Sequence, residues 1–232
     1  MPAGQAVFSA YCDRRMIMGN TRLIEGNEEK YFTKNIVYKY IVGNFIRNVS
    51  ELALKVSKNI SSINEIGCGE GHLAERIGSL GIAPVRGCDV SEDMIRKAIS
   101  LHAGGKIDFY IKSVYDLDKT DEADLIVCCE VLEHLEDPAS ALQKLKFISN
   151  KYCLLSVPNE PLWRILNCMR GKYLKDFGNT PGHLKHWSFG AFKNLVLGYF
   201  NIIEARKVFP WTVILAQKTH PLINKKIGSS LF

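Results

Sequence analysis

No apolar run in the 232-residue sequence approaches the length that a membrane-crossing helix needs. The seven cysteines are odd in number and form no paired framework, which argues against a disulfide scaffold and for a reducing compartment. Cys128 and Cys129 sit side by side in an apolar run and read as buried strand residues. The opening stretch, MPAGQAVFSAYCDRR, lacks the basic-then-apolar layout of a signal peptide, so the expected location is cytoplasmic. Internal repeats and low-complexity segments are missing. So are a separate RNA-binding module and a dense stripe of basic and aromatic residues, which makes nucleic acid an unlikely partner. Charge of one sign is only mildly in excess: the net charge of +6 permits an anionic partner but equally describes a solvated surface.

What is present suits one globular domain with a full core: 47% hydrophobic and 23% charged residues. Residues 1–60 read as helical, with NIVYKYIVGNFIRNV carrying apolar residues at helical spacing. Strand-like runs follow in SINEIG, APVRGCDV, KIDFYIKS, ADLIVCCE and YCLLSVP. The stretches between them, GHLAERIGSL, SEDMIRKAIS and PASALQKLKFI, have helical pattern. Such alternation predicts an α/β fold, a doubly wound parallel sheet. Two consecutive strands, NIIEARKVF and WTVILAQK, close the chain as a hairpin.

The stretch EIGCGEGHLAERI places Gly67, Gly69 and Gly71 between a strand and a helix. A strand turning sharply into a helix exposes backbone N–H groups and the positive end of a helix dipole, and glycine lets a ligand approach the main chain. Position 72 is His, so the dinucleotide pattern G-x-G-x-x-G fails. The acidic Glu65 beside the turn suits an amino group better than a pyrophosphate. Asp89, ending the second strand, stands where a carboxylate takes ribose hydroxyls, and Ser91 is placed to cap the next helix. The structural alternative is a tight turn with Asp89 as a helix cap.

EIGCGEGHLAERI, GCDVSEDMI, ADLIVCCEVLEHLEDP and LLSVPN resemble, in order and spacing, the motifs of class I S-adenosylmethionine-dependent methyltransferases, over residues 62–158. The resemblance implies a seven-stranded sheet of order 3-2-1-4-5-7-6 with strand 7 antiparallel, here with an N-terminal helical cap and a lid insertion. It implies one methyltransferase domain over residues 1–232: a cap (1–60), a cofactor core (61–157), a lid (158–191) and a closing hairpin with tail (192–232). Cofactor contacts fall on Glu65, Gly67, Cys68, Gly69, Gly71, Asp89, Val90, Met94, Ser113, Val114 and Glu130. Ser113 departs from the pattern, standing where many members have an acid facing the adenine.

The sulfonium methyl is already electrophilic, so the enzyme's task is to position an acceptor and, for a hydroxyl, to remove its proton. A helix beginning near Glu130 would put Glu130, Glu133 and His134 on one face, where two carboxylates and an imidazole suit a divalent cation. This E-x-x-E-H cluster resembles those of ubiquinone-pathway O-methyltransferases and of small-RNA 3′-terminal 2′-O-methyltransferases. In the RNA group the cluster and a distant histidine bind magnesium. That histidine precedes a tryptophan by four places and a phenylalanine by nine, as His183 precedes Trp187 and Phe192. The implied metal set is Glu130, Glu133, His134 and His183. Without metal, His183 or His186 is the candidate general base, with His134 packing near the cofactor; Glu136 and Asp137 are expected to be solvated.

The lid stretch PLWRILNCMRGKYLKDF mixes Leu162, Trp163, Ile165, Leu166, Met169, Tyr173 and Phe177 with Arg164, Arg170, Lys172 and Lys175. As an amphipathic helix it suits either a lid over a lipophilic substrate or peripheral membrane contact. Tyr31 and Phe32 are expected pocket residues if the N-terminal segment covers the cofactor. The expected activity is methyl transfer to an oxygen of a small or lipophilic metabolite. A nitrogen acceptor, an RNA 3′ end and a non-catalytic cofactor-binding subunit remain as alternatives.

Overall fold

Seven apolar runs pair into a single sheet in the computed structural model, which describes residues 36–169 and 182–219. The strands are β1 (Ile63–Ile66), β2 (Val85–Asp89), β3 (Asp108–Ile111), β4 (Ala123–Cys129), β5 (Ser149–Pro158), β6 (Phe200–Val208) and β7 (Trp211–Lys218). Their order is β3-β2-β1-β4-β5-β7-β6, as expected. All pairs are parallel except those of β7, which runs antiparallel to both β5 and β6. Every residue of β1 and β4 is buried, the polar Asn64, Glu65 and Asp124 included, as expected of central strands covered on both faces. The edge strand β6 meets water along much of its length and mixes polar with apolar residues.

The helices are α1 (Ile36–Val56), α2 (His72–Gly78), α3 (Glu92–Leu101), α4 (Pro138–Ile148), α5 (Leu162–Met169) and α6 (Phe189–Leu197). Their starts follow from local chemistry. The Ser91 hydroxyl accepts from the Met94 N–H at the head of α3, and the Ser188 hydroxyl accepts from Ala191 N–H at the head of α6. The described part of the expected cap, α1, is a layer of the fold. It buries Phe45, Val49, Leu52 and Ala53, and the Phe45 ring lies 4.7 Å from that of Trp211 in β7. Ion pairs Lys55–Glu204 and Arg206–Glu51, both at 2.6 Å, tie α1 to β6. Tyr31 and Phe32 lie outside the described residues, as do Arg170, Lys172, Tyr173, Lys175 and Phe177 of the lid.

The helix expected to begin near Glu130 does not form there. Glu130 takes a left-handed backbone conformation (φ 59°), and only a single 3-10 turn, Leu132–His134, follows before α4 starts at Pro138. Proline suits the first position of a helix, whose N–H has no intrahelical partner. Asp137, expected only to be solvated, is exposed but also caps that helix, accepting from Ser140 N–H at 3.0 Å. No helix among the described residues is long and apolar enough to cross a membrane.

Leu125 is fully buried in β4, at the centre of the sheet, whereas Ile99 on α3 is 53% exposed. Leu125→Ala is expected to cost about 2–5 kcal/mol in equilibrium denaturation. Ile99→Ala should stay within about 0.5 kcal/mol of wild type.

Candidate active site

The sheet order reverses between β1 and β4, and ligands of open α/β sheets bind beyond the carboxyl ends of the strands at such a point. The glycine turn stands there. Gly67, Gly69 and Gly71 all have positive φ (77°, 53° and 79°), conformations that cost side-chain-bearing residues steric energy. Space excludes larger residues too. A Cβ on Gly67 would run into Val131, and one on Gly71 would meet the Phe109 ring at 2.5 and 2.8 Å. Cys68 is buried under the turn, its thiol 3.8 Å from the Gly69 carbonyl oxygen.

Two buried carboxylates flank this turn. Asp89, at the end of β2, accepts the Gly69 N–H at 3.0 Å through one oxygen and the Ser91 N–H at 2.9 Å through the other. Burial nevertheless pushes its pKa up to about 7, against the lowering effect of the Ser91, Gly69 and Val90 N–H groups. Glu65 in β1 is fully buried, and among the described residues no side chain bonds its carboxylate; the Ala74 N–H points toward it without closing a well-formed hydrogen bond. Its pKa is raised well above the usual range by burial and, less strongly, by the charge of Asp89, with the Ala74 N–H working the other way. A ligand offering an amino group and ribose hydroxyls fits this donor-poor, acid-rich cradle, so the residues present suit S-adenosylmethionine. Of the other expected contacts, Met94 and Val114 are buried while Val90 and Ser113 are half-buried. The Ser113 hydroxyl accepts from Tyr115 N–H at 3.2 Å and caps a 3-10 turn.

A second group assembles past the end of β4. Ligand atoms of Glu133, His134 and His183 lie within 4.8 Å of one another. Glu133 and His183 are buried, and His134 Nε2 is 4.0 Å from Glu133 Oε1. The Glu133 carbonyl accepts from Leu184 and Lys185 N–H (2.8 and 3.0 Å), which holds residues 184–185 against the 3-10 turn. His134 Nδ1 is 2.9 Å from the Gly182 carbonyl oxygen. A carbonyl only accepts, so Nδ1 carries the proton and the neutral ring keeps a lone pair on Nε2. A backbone carbonyl orienting a histidine in this way is the usual second layer of a metal site.

Glu130 belongs to neither the helix face nor this cluster. Its carboxylate accepts from Ser156 Oγ at 3.1 Å and from Trp211 Nε1 at 2.6 Å, which turns it away from the role of metal ligand expected of it. Those bonds begin a chain of rings: Trp211 to Trp163 (5.7 Å), Trp163 stacked with His183 (6.4 Å), His183 edge-on to His134 (5.0 Å). His186 is exposed and outside the cluster among the described residues, and partial burial and Arg164 lower its pKa. The sequence reading missed Ser156, Trp211 and Glu160. Glu160 is buried just after β5, one oxygen accepting from Arg164 N–H at 3.3 Å and the other without a hydrogen-bond partner among the described residues. An acid directly after PN at a strand's carboxyl end was the available signal.

Gly67→Ala is expected to weaken binding of S-adenosylhomocysteine at least about tenfold in titration calorimetry, roughly 1.4 kcal/mol or more. A pH dependence follows from Asp89. Its proton is held in the folded apoprotein up to about pH 7 but lost near pH 4 in an unfolded chain, so its contribution to stability falls as pH rises between those values. Hydroxyl donors favour the ionised form, so binding releases the proton. Affinity should rise between pH 6 and 8, by up to about tenfold per unit below the midpoint, and calorimetry in buffers of different ionisation enthalpy should detect the proton. Asp89→Asn should bind weakly and flatten the profile.

A family model described as a methyltransferase domain matches residues 38–205, well over half of the chain. Over 106 residues the chain is 32% identical to the ubiquinone biosynthesis O-methyltransferase of Hydrogenovibrio crunogenus, covering 42% of this chain and 44% of that protein. Over 82 residues it is 39% identical to the enzyme of the same name from Thiobacillus denitrificans, covering 34% and 35%. The chain thus spans less than half the length of these curated relatives. Among solved structures, magnesium protoporphyrin IX methyltransferase from Synechocystis with bound SAH superposes with a TM-score of 0.61 at 20% identity, over 80% of this chain and 88% of that one. The N-methyltransferase NodS from Bradyrhizobium japonicum gives 0.60 at 15%, over 78% and 98%. At such identities these two share the fold. With the family match, the sheet order and the glycine turn between two buried acids in agreement, the chain belongs to the methyltransferase-domain family and has the fold of class I S-adenosylmethionine-dependent methyltransferases.

Proposed function

We propose that the enzyme methylates a hydroxyl oxygen of a small, lipophilic acceptor, with a divalent ion such as magnesium held by Glu133, His134 and His183. The observation that carries this reading is the convergence of those three ligand atoms within 4.8 Å. The cluster is tied to the cofactor turn through Val131, which fills the space beside Gly67 two residues before Glu133. The names of the curated relatives, ubiquinone biosynthesis O-methyltransferases, also favour oxygen. The mouth of the site suits a lipophilic acceptor or contact with a membrane surface: Leu162 and Ile165 on α5 and Leu184 beside the cluster are exposed.

Bound at the turn, S-adenosylmethionine supplies a methyl group on a positively charged sulfur. Glu65 and Asp89 orient its polar ends, and the glycine turn brings the main chain close. Glu133, His134 and His183 would hold a divalent ion, which would supply Lewis acidity to an acceptor hydroxyl. Glu133 contributes the negative charge of the ligand set, and His134 offers Nε2 in a fixed tautomer because Gly182 holds Nδ1. Without a metal, the same lone pair on His134 or that of buried His183 takes the hydroxyl proton directly.

Titration with manganese or magnesium in the presence of S-adenosylhomocysteine, with a chelator as control, tests the ligand set. Wild type should bind one ion, and Glu133→Ala and His183→Ala should lose affinity by at least about tenfold. Methyl transfer to a catechol probe should then require the metal. Cofactor binding without metal binding would overturn the metal reading and leave the histidines as bases. Transfer to amines alone would overturn oxygen as acceptor. Retention of single-stranded RNA with steep salt dependence would redirect the search to RNA ends, and binding without turnover on any acceptor would mark a non-catalytic subunit.

A further inference from the structure

One of the two residues inside the glycine turn that are not glycine is charged and tied to three other side chains. Glu70, between Gly69 and Gly71, is 2% exposed. One carboxylate oxygen is 3.1 Å from the Lys97 ammonium of α3, and the other is 3.4 Å from His72 Nε2 at the head of α2. Its backbone carbonyl lies 3.1 Å from His102 Nε2, in the residue that ends α3. Since a carbonyl only accepts, that nitrogen donates. The His102 ring packs on His72 (5.8 Å) and on Phe109 (5.9 Å), and Phe109 is the ring that fills the space beside Gly71.

Burial alone would raise the Glu70 pKa, yet its bonds to His72 and Lys97 outweigh burial and hold it below the usual carboxylate range. The charge is therefore kept and paired. The need for it lies in the turn. Gly67, Gly69 and Gly71 are the most mobile residue type in an unfolded or open loop, and all three must hold positive φ at once. Hydrogen bonds from Gly71 N–H to Cys68 O and from Gly69 N–H to Asp89 restrain one side. On the other side the restraint is the Glu70 clasp.

We propose that Glu70 is a positioning residue for the cofactor: clasped by Lys97 at its carboxylate and by His102 at its carbonyl, it locks the glycine turn in the conformation that lets the ligand approach its main chain. The proposal concerns the turn alone and is independent of the acceptor and of any metal. Lys97 and His102 both act through Glu70.

The test is titration calorimetry of S-adenosylmethionine and S-adenosylhomocysteine on Lys97→Met, His102→Leu and Glu70→Gln, with the thermal midpoint of each apoprotein. Lys97→Met and His102→Leu should weaken both ligands in parallel, by about fivefold or more. Lys97→Arg and His102→Gln, which restore a donor, should return to within about twofold of wild type. A merely structural role predicts lower thermal midpoints with unchanged affinity of the folded protein, and that result overturns the proposal. Loss of S-adenosylmethionine affinity without loss for the uncharged product overturns it too, because it marks a charge effect on the sulfonium. If one variant fails to fold, the other two carry the same comparison.

Discussion

Asp89 is buried at the end of β2 with its carboxyl group accepting two backbone N–H groups, one from the glycine turn and one from Ser91 at the head of α3. That carboxylate fixes the distance between the end of β1 and the end of β2, and so the width of the cofactor cradle. Two amide donors are too few to replace the water it has lost, and desolvation wins. Glu65 one strand away is in a worse position, with burial and the neighbouring charge both opposing its ionisation. The cradle is therefore short of donors by construction. A ligand carrying an ammonium and vicinal hydroxyls supplies them, so binding energy and site electrostatics have the same origin.

The same logic separates the two halves of the site. On the β1–β2 side, rigidity comes from the turn's hydrogen bonds and from the Glu70 pairing with Lys97 and His72. On the β4–β5 side it comes from Glu130. Held in a left-handed conformation, this residue ends β4 and spends both carboxylate oxygens on Ser156 of β5 and Trp211 of β7. Trp211 then supports Trp163, and Trp163 supports His183. The histidine that completes the Glu133–His134 pair is thus steadied by a stack of rings rooted in the sheet rather than by the lid alone.

Features decided by neighbours in the chain were legible in the residues. The strand periods gave the sheet, and the run of glycines after an apolar segment gave the turn. Asp89 and Ser91 gave a strand end followed by a capped helix, and the structure places them so. The pairing of Glu133 and His134 with His183, 49 places further on, was legible only through the spacing of His183 from Trp187 and Phe192. E-x-x-E-H also has the spacing of a helix face, but no helix forms there and Glu130 bonds Ser156 and Trp211 instead. The partner that turns it aside, Trp211, is 81 residues away and joins it only when β7 inserts beside β5.

What the sequence determined by itself was therefore the chemistry encoded within a few residues. The alternation of strands and helices set a mostly parallel α/β sheet, and the glycine turn between acids pointed to a ligand with donors. Only the tertiary structure decided which acids stay charged, which carboxylate faces the cluster and which anchors the sheet. Those outcomes depend on burial and on hydrogen bonds between residues brought together by β-pairing, and local spacing carries no record of that pairing.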